Sequence, residues 1–242
     1  MKLKLLSSTI FLLCISLFLS LGFWQIERAG EKDSIVKLYK DRQLAPAKLL
    51  QTFNTRDIEK LHYRNFKIKG RYLNKIFLID NKVKNKILGF NVVTPFQLEK
   101  SGEIIIVDRG WLPFNGIRDE ITNNYNYLNH QEIDQNVQEI NGYIYPKDAS
   151  YTIGAISTNK EWPRLLQAIN FREINNEILK KDLLVSGVIF RLGRNNEFGF
   201  NREWKIVYMD SNKHLGYAFQ WFSLAVAFLI MTIIFFIRNK DE

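Results

Sequence analysis

The stretch Leu215 to Ile237, LGYAFQWFSLAVAFLIMTIIFFI, contains no Asp, Glu, Lys or Arg. A helix rises ~1.5 Å per residue, so about 20 such residues cross the ~30 Å hydrocarbon core of a bilayer. A second uncharged stretch, Leu5 to Ile26 (LLSSTIFLLCISLFLSLGFWQI), stands at the other end of the chain. The sequence therefore predicts a transmembrane helix over 5–26, a domain over 27–214 and a second transmembrane helix over 215–237. In that layout the domain lies wholly on one side of the membrane. Both of its ends return to the same surface.

Flanking charge sets the expected orientation. Lys2 and Lys4 precede the first span, and Arg238 and Lys240 follow the second. Short tails rich in Lys and Arg stay in the cytoplasm, whereas a long domain translocates regardless of its own charge. Both termini are thus expected inside and the domain outside. A cleaved signal peptide is the rival reading of the first segment. Its apolar run is longer than a usual signal core, and no A-x-A site follows, which favours a retained anchor. The absence of an Arg- and Ser-rich presequence points to a bacterial inner membrane, with the domain periplasmic.

Between the spans, strand signals dominate. After Trp24 the pattern is polar and helical to about Leu50, interrupted by Pro46. Phe66 to Tyr72 alternates, with Phe66, Ile68 and Gly70 on one side and Lys67, Lys69 and Arg71 on the other. Further strands are predicted at Ile76–Ile79, Phe90–Phe96, Glu103–Trp111, Val137–Tyr145, Val185–Leu192 and Trp204–Met209. One amphipathic helix is predicted over Ile169–Leu183. Gly193–Phe200 reads as a hairpin loop, and Thr122–Asn136 as a polar surface loop. The fold class is α+β: two terminal transmembrane helices flanking an extracytoplasmic, mostly antiparallel β domain with a few helices.

Composition narrows the function. The net charge is +9, but the basic residues are scattered rather than clustered, and anionic lipid accounts for the balance as well as nucleic acid does. No nucleic-acid partner is expected; the lipid bilayer is. Cys14 is the single cysteine and lies within the first span, which excludes an intrachain disulfide and a CxxC redox pair. No phosphate-binding Gly-rich loop, H-E-x-x-H or G-x-S-x-G motif occurs, and His62, His130 and His214 lack ligand spacing. The common warrants for an enzyme are missing, and no enzymatic activity is expected.

Three constellations remain. Trp24 and Arg28 share a helix face at the outer end of the first span. They read either as an interfacial aromatic with a snorkelling cation or as part of a site. His214, Tyr217 and Trp221 fall at i, i+3 and i+7 where the second span begins. His214 reads either as an interfacial residue or as an axial ligand to haem iron beside an aromatic face. Arg28 and Lys213 would then suit haem propionates. The third constellation is Asp108-Arg109-Gly110-Trp111. Strand alternation sends Asp108 and Arg109 to opposite faces, and structural roles are expected there.

These pieces occur together in one family. The sequence resembles the surfeit locus protein 1 family of cytochrome c oxidase assembly factors. The resemblance is carried by GFWQIERAGEK (22–32), FKIKGRY (66–72), NVVTPFQL (91–98), EIIIVDRGWLP (103–113), EINGYIY (139–145) and KHLGYAFQWFSLA (213–225), in that order. Pro146–Trp162 departs from the family pattern except at Trp162. The resemblance implies a non-catalytic factor that binds haem a and aids its insertion into oxidase subunit I, with haem a synthase as a second partner. It places the haem ligand at His214. It also maps the first-span motif onto Gly22, Trp24, Gln25 and Arg28, and a second motif onto Arg109, Gly110 and Trp111. The alternative is a haem-free scaffold that stabilises an oxidase subunit intermediate. The candidate cofactor-binding residues are His214, Trp24, Arg28, Tyr217 and Trp221, with His214 the candidate iron ligand.

Overall fold

A computed structural model describes residues 2–53, 57–114, 125, 128, 136–146, 162–178, 184–197 and 199–238. The chain forms two compact units. One comprises 1–40 and 205–242, the other 41–204.

The first unit is built from the helices at the two ends of the chain. Helix α1 runs unbroken over Lys2–Gln43, and helix α4 over Ser211–Arg238. Ser7–Gln43 and Ser211–Arg238 are long and apolar enough to cross a membrane. Their apolar side chains stay largely uncovered: Leu12 is 68% and Phe219 75% exposed. Such exposure is unfavourable in water and neutral in hydrocarbon. Helix α4 starts where Asp210 accepts a hydrogen bond from the Lys213 backbone N–H at 3.0 Å, a side-chain cap on an otherwise orphan donor.

The second unit is a barrel. Its elements are β1 (Lys48–Leu49), α2 (Ile58–Leu61), β2 (Asn65–Tyr72), β3 (Phe77–Lys84), β4 (Ile87–Leu98), β5 (Ile104–Pro113), β6 (Gln138–Tyr145), β7 (Arg164–Leu166), α3 (Phe171–Ile178) and β8 (Leu184–Leu192). The sheet order is β1-β2-β6-β8-β5-β4-β3-β7, and an added β2–β4 pairing closes β2, β6, β8, β5 and β4 into a ring. Only β5–β8 is parallel within that ring. This is a five-stranded Greek-key barrel of the OB type. Gly70 lies at the closure, paired with Gln138 of β6 and Leu98 of β4. A Cβ there would stand 2.0 Å from the Gln97 carbonyl oxygen, so only glycine lets the strands meet.

Alternation fills the interior. Phe66, Ile68, Val92, Phe96, Ile105, Val107, Ile140, Val188 and Phe190 form one buried cluster. In β2, Lys67, Lys69 and Arg71 face outward, as the sequence predicts. The predicted strands at 66–72, 76–79, 90–96, 103–111, 137–145 and 185–192 are all present. β3 runs further than expected, through a register shift between Ile79 and Lys82 with Asn81 at φ 58°.

Several expectations are corrected. The helix does not continue to Leu50. Pro46 lacks an N–H and restrains the residue before it. The Asn65 side chain donates to the Gln43 carbonyl at 3.0 Å, and Lys48–Leu49 pairs with β2. Trp204–Met209 is not a strand. Among the described residues, backbone pairing of this part of the chain with the sheet is confined to Phe200 and Asn201, which bond to Arg109 and Trp111 at the end of β5. Gly193–Phe200 is thus a loop, but it leads into that short bridge and not into a second hairpin strand. The helix predicted over Ile169–Leu183 begins at Phe171, where the Asn170 side chain caps the Arg172 N–H at 3.1 Å, and is described to Ile178. Residues 179–183 lie outside the described residues, as does His130. Thr122–Asn136 is not wholly a surface loop, because Tyr125 and Leu128 are buried in the core and the Tyr125 hydroxyl donates to the Pro113 carbonyl at 2.7 Å. The rest of it, up to residue 135, and 147–161 lie outside the described residues.

Candidate functional site

Polar side chains inside an apolar helix pair are costly unless partnered, so they mark where such a pair does something besides anchor. Helices α1 and α4 pack against each other in antiparallel fashion. Phe18 stacks on Trp221 with centroids 5.9 Å apart, Phe11 meets Phe228 at 6.2 Å and Phe235 at 5.7 Å, and Phe23 meets Phe222 at 5.3 Å. On α1 the less exposed positions include Phe11, Ile15, Phe18, Gly22, Gln25 and Ala29. On α4 they include His214, Ala218, Trp221, Ala225, Phe228 and Thr232. Both sets step by four and three residues, the spacing of a helix–helix seam. Gly22 makes room for a ring from the facing helix: a Cβ there would stand 2.5 Å from the Phe222 ring.

At one end of this seam sits its polar pair. His214 Nδ1 and Gln25 Oε1 are 2.7 Å apart. An amide oxygen only accepts, so Nδ1 donates. His214 is 8% exposed, and its other ring nitrogen, Nε2, is buried without a hydrogen-bond partner. A buried lone pair left in this state costs ~1–3 kcal/mol. The imidazole is therefore half satisfied: one nitrogen is fixed by α1, the other is kept as a bare donor atom.

The other candidate residues surround this pair unequally. Trp24 is 45% exposed, and the Arg28 guanidinium lies over its ring at 5.6 Å. Arg28 is also bound to Glu31 at 2.6 Å. Trp221 is half-buried in the seam, seven residues on from His214. Tyr217 stands at the edge of that face, 43% exposed. Lys213 is exposed. The structure thus brings His214 together with Gln25, a residue absent from the list of candidate ligand-site residues. A signal for it was present: Gln25 is an amide in an otherwise apolar span, at a seam position, and such a group needs a partner. Among the described residues no group of three or more His, Cys, Asp or Glu lies together, so the donor set here is a single imidazole. That set fits haem, which brings four ring nitrogens of its own and needs one axial ligand. A neutral imidazole with Nδ1–H held by an acceptor and Nε2 bare is the ligating form. Nε2 is covered, so the contacts over it have to part before iron can reach it.

The barrel unit holds a second buried polar cluster. The Arg191 guanidinium lies between Tyr145, 3.3 Å from the ring centroid, and Trp204, at 4.8 Å. Its Nε is 3.8 Å from the Asp108 carboxylate. Asp108 accepts from Asn91 at 2.8 Å and from the Gly110 N–H at 3.3 Å. Burial pushes the Asp108 carboxyl above its usual range, against the pull of Arg191 and these hydrogen bonds. Arg191 is held above its ordinary value, because Tyr143, Asp108 and Tyr145 together outweigh its own desolvation. Arg109 does not pair with Asp108. It faces the other way, over the Tyr72 and Phe200 rings at 5.4 and 5.2 Å. A bulge at this point sets Val92 opposite Gly110 and Val93 opposite Asp108, with Gly110 at φ +124°. Trp111 fastens the end of β5 by donating to the Lys82 carbonyl at 2.7 Å. These contacts are interior and structural.

Comparison with known proteins decides the family. The model of the SURF1 family matches residues 12–226. The chain belongs to the SURF1 family. It is similar to the SURF1-like protein of Rickettsia felis, 26% identical over 235 residues that cover 95% of this chain and 96% of that protein. The SURF1-like protein of Rickettsia prowazekii is 27% identical over 247 aligned residues, 97% of this chain and 90% of its own length. That of Drosophila melanogaster is 28% identical over 109 residues, 38% of this chain and 36% of that protein. The match takes in α1 from residue 12, the whole barrel and α4 as far as residue 226. Membership of the SURF1 family implies a role in cytochrome c oxidase assembly, and points to an assembly factor rather than to an enzyme. The two apolar helices associate the chain with a membrane.

Proposed function

We propose that this SURF1-family protein is a bacterial inner-membrane assembly factor that holds haem a on His214 and passes it to cytochrome c oxidase subunit I, receiving it from haem a synthase. The observation that carries this reading is the buried, unpartnered Nε2 of an imidazole whose other nitrogen is already held. Haem a is cargo here, and the iron it carries supplies the bond to the imidazole. The chain's own residues supply the rest. Trp221, Trp24 and Tyr217 supply apolar rings on the same two helices, Trp221 being stacked on Phe18. Arg28 and Lys213 offer cations for propionates, with Arg28 giving up Glu31 in the exchange. Lys2, Lys4, Arg238 and Lys240 favour both termini in the cytoplasm and the barrel in the periplasm.

One observation favours a second reading. Nε2 is covered, and a His–Gln contact inside a helix pair can by itself fix register and orientation. The protein would then be a haem-free scaffold for an oxidase subunit intermediate. The two readings separate in one experiment. The full-length chain is produced with haem a synthase and purified in detergent, as the parent and as His214→Ala. Haem delivery predicts a coloured parent and a variant that has lost the haem spectrum. A colourless parent that still co-purifies subunit I, or a variant with the parent's haem content, sinks it.

A further inference from the structure

We infer that Gln25 is the positioning residue that keeps His214 in the tautomer able to bind iron through Nε2, an inference that rests on the haem reading above. A neutral imidazole carries one proton. On Nε2 it would block that atom as a ligand; on Nδ1 it frees the Nε2 lone pair. The 2.7 Å approach of Gln25 Oε1 selects the second arrangement, because an amide oxygen has nothing to donate. The same contact occupies Nδ1, so Nε2 is the only ring atom left to coordinate.

The position of Gln25 is itself set by packing. It lies three residues, close to one turn, beyond Gly22, whose missing side chain admits the Phe222 ring, and seven beyond Phe18, which stacks on Trp221. These contacts fix the height and rotation of α1 against α4. The backbone of Gln25 is thereby held at the level of the imidazole. Loss of the group that holds the imidazole at other histidine-bound metal sites typically weakens metal affinity by ~10- to 100-fold.

The test uses the full-length protein in detergent, with nitrogen-15 in its histidine rings. In the haem-free parent, long-range nitrogen–proton spectra are expected to show the His214 ring, assigned by its loss in His214→Ala, as the Nδ1–H form. Gln25→Leu is expected to shift it toward Nε2–H and to raise the Kd for added haem a by ~10- to 100-fold. Gln25→Glu keeps an acceptor, and is expected to keep both the tautomer and the affinity to within a few-fold. An Nε2–H ring in the parent overturns the inference, and needs no folded variant. So does a Gln25→Leu protein that binds haem a as tightly as the parent while His214→Ala does not bind it. Unaltered haem binding by His214→Ala is a different outcome, and removes the haem reading itself.

Discussion

The helix pair and the barrel draw on the same apolar residue types and dispose of them in opposite ways. In the barrel, Ile68, Val92, Phe96 and Ile105 are fully buried, and charged residues alternate with apolar ones along β2. In the helix pair, Leu12, Phe219 and Ile237 are mostly exposed, while glycine, alanine, glutamine and histidine share the seam with aromatic rings. One unit is organised to leave water and the other to sit in lipid. Polar burial differs as well. The barrel gives Asp108 a guanidinium, an amide and a backbone N–H. The helix pair gives His214 one partner and leaves Nε2 bare. Incomplete pairing is common to both units, since the Tyr72 hydroxyl in the barrel also lacks a partner among the described residues, but only in the helix pair is the bare atom an imidazole nitrogen that can ligate a metal.

The contrast can be broken by mutation. The largest expected effect is in the barrel. Asp108→Ala strands a buried guanidinium between two rings and is expected to destabilise the barrel by ~3–5 kcal/mol, read as a lowered melting temperature of the detergent-solubilised protein. An unchanged melting temperature would mean that the aromatic faces alone support Arg191. Next is Val226→Arg on the exposed face of α4. If that face meets hydrocarbon, the arginine costs ~2.5–3.5 kcal/mol of insertion and less protein remains in the membrane fraction after alkaline extraction. Arginine at Val83, equally exposed on β3, is expected to change stability by no more than about 0.5 kcal/mol. Equal outcomes at the two positions would erase the distinction between the units.

The smallest effect sharpens the picture of the barrel interior. The Tyr72 hydroxyl is buried with no hydrogen-bond partner among the described residues, and burial pushes its pKa from 10.0 to about 12. The folded state thus holds the phenolic proton more tightly than the unfolded chain does. Stability from this group is present below pH 10 and is lost as pH rises toward 12. Tyr72→Phe is expected to match or exceed the parent in stability at neutral pH, by up to about 1 kcal/mol, and to lose less of it above pH 10. Denaturant titrations at pH 7 and pH 11 check both statements.

Much of this was legible in the chain. Uncharged runs announce the two helices, because hydrocarbon tolerates no unpaired charge. Period-two alternation announces β2 and the first half of β6, because one face of each is buried there. The family strings add the order. The failures are equally physical. Trp204–Met209 has strand composition, yet it pairs with no strand, because pairing is decided by which partner the tertiary fold brings alongside. Tyr125 and Leu128 are core residues in a segment too polar to suggest it. The candidate site was half legible: His214 stands out as an imidazole at a span entrance, whereas Gln25 gains meaning only from what lies opposite.

The amino-acid order by itself determined which segments can cross a bilayer, which can pair as strands, and which family the chain resembles. Those properties depend on short-range charge and periodicity, which any reading of the chain contains. Tertiary structure alone decided that β2 meets β4 to close the barrel, that Arg191 and not Arg109 is the partner of Asp108, and that Gln25 holds Nδ1 of His214. Each of these joins residues distant in sequence, and no local propensity encodes which distant group fills the other half of a hydrogen bond.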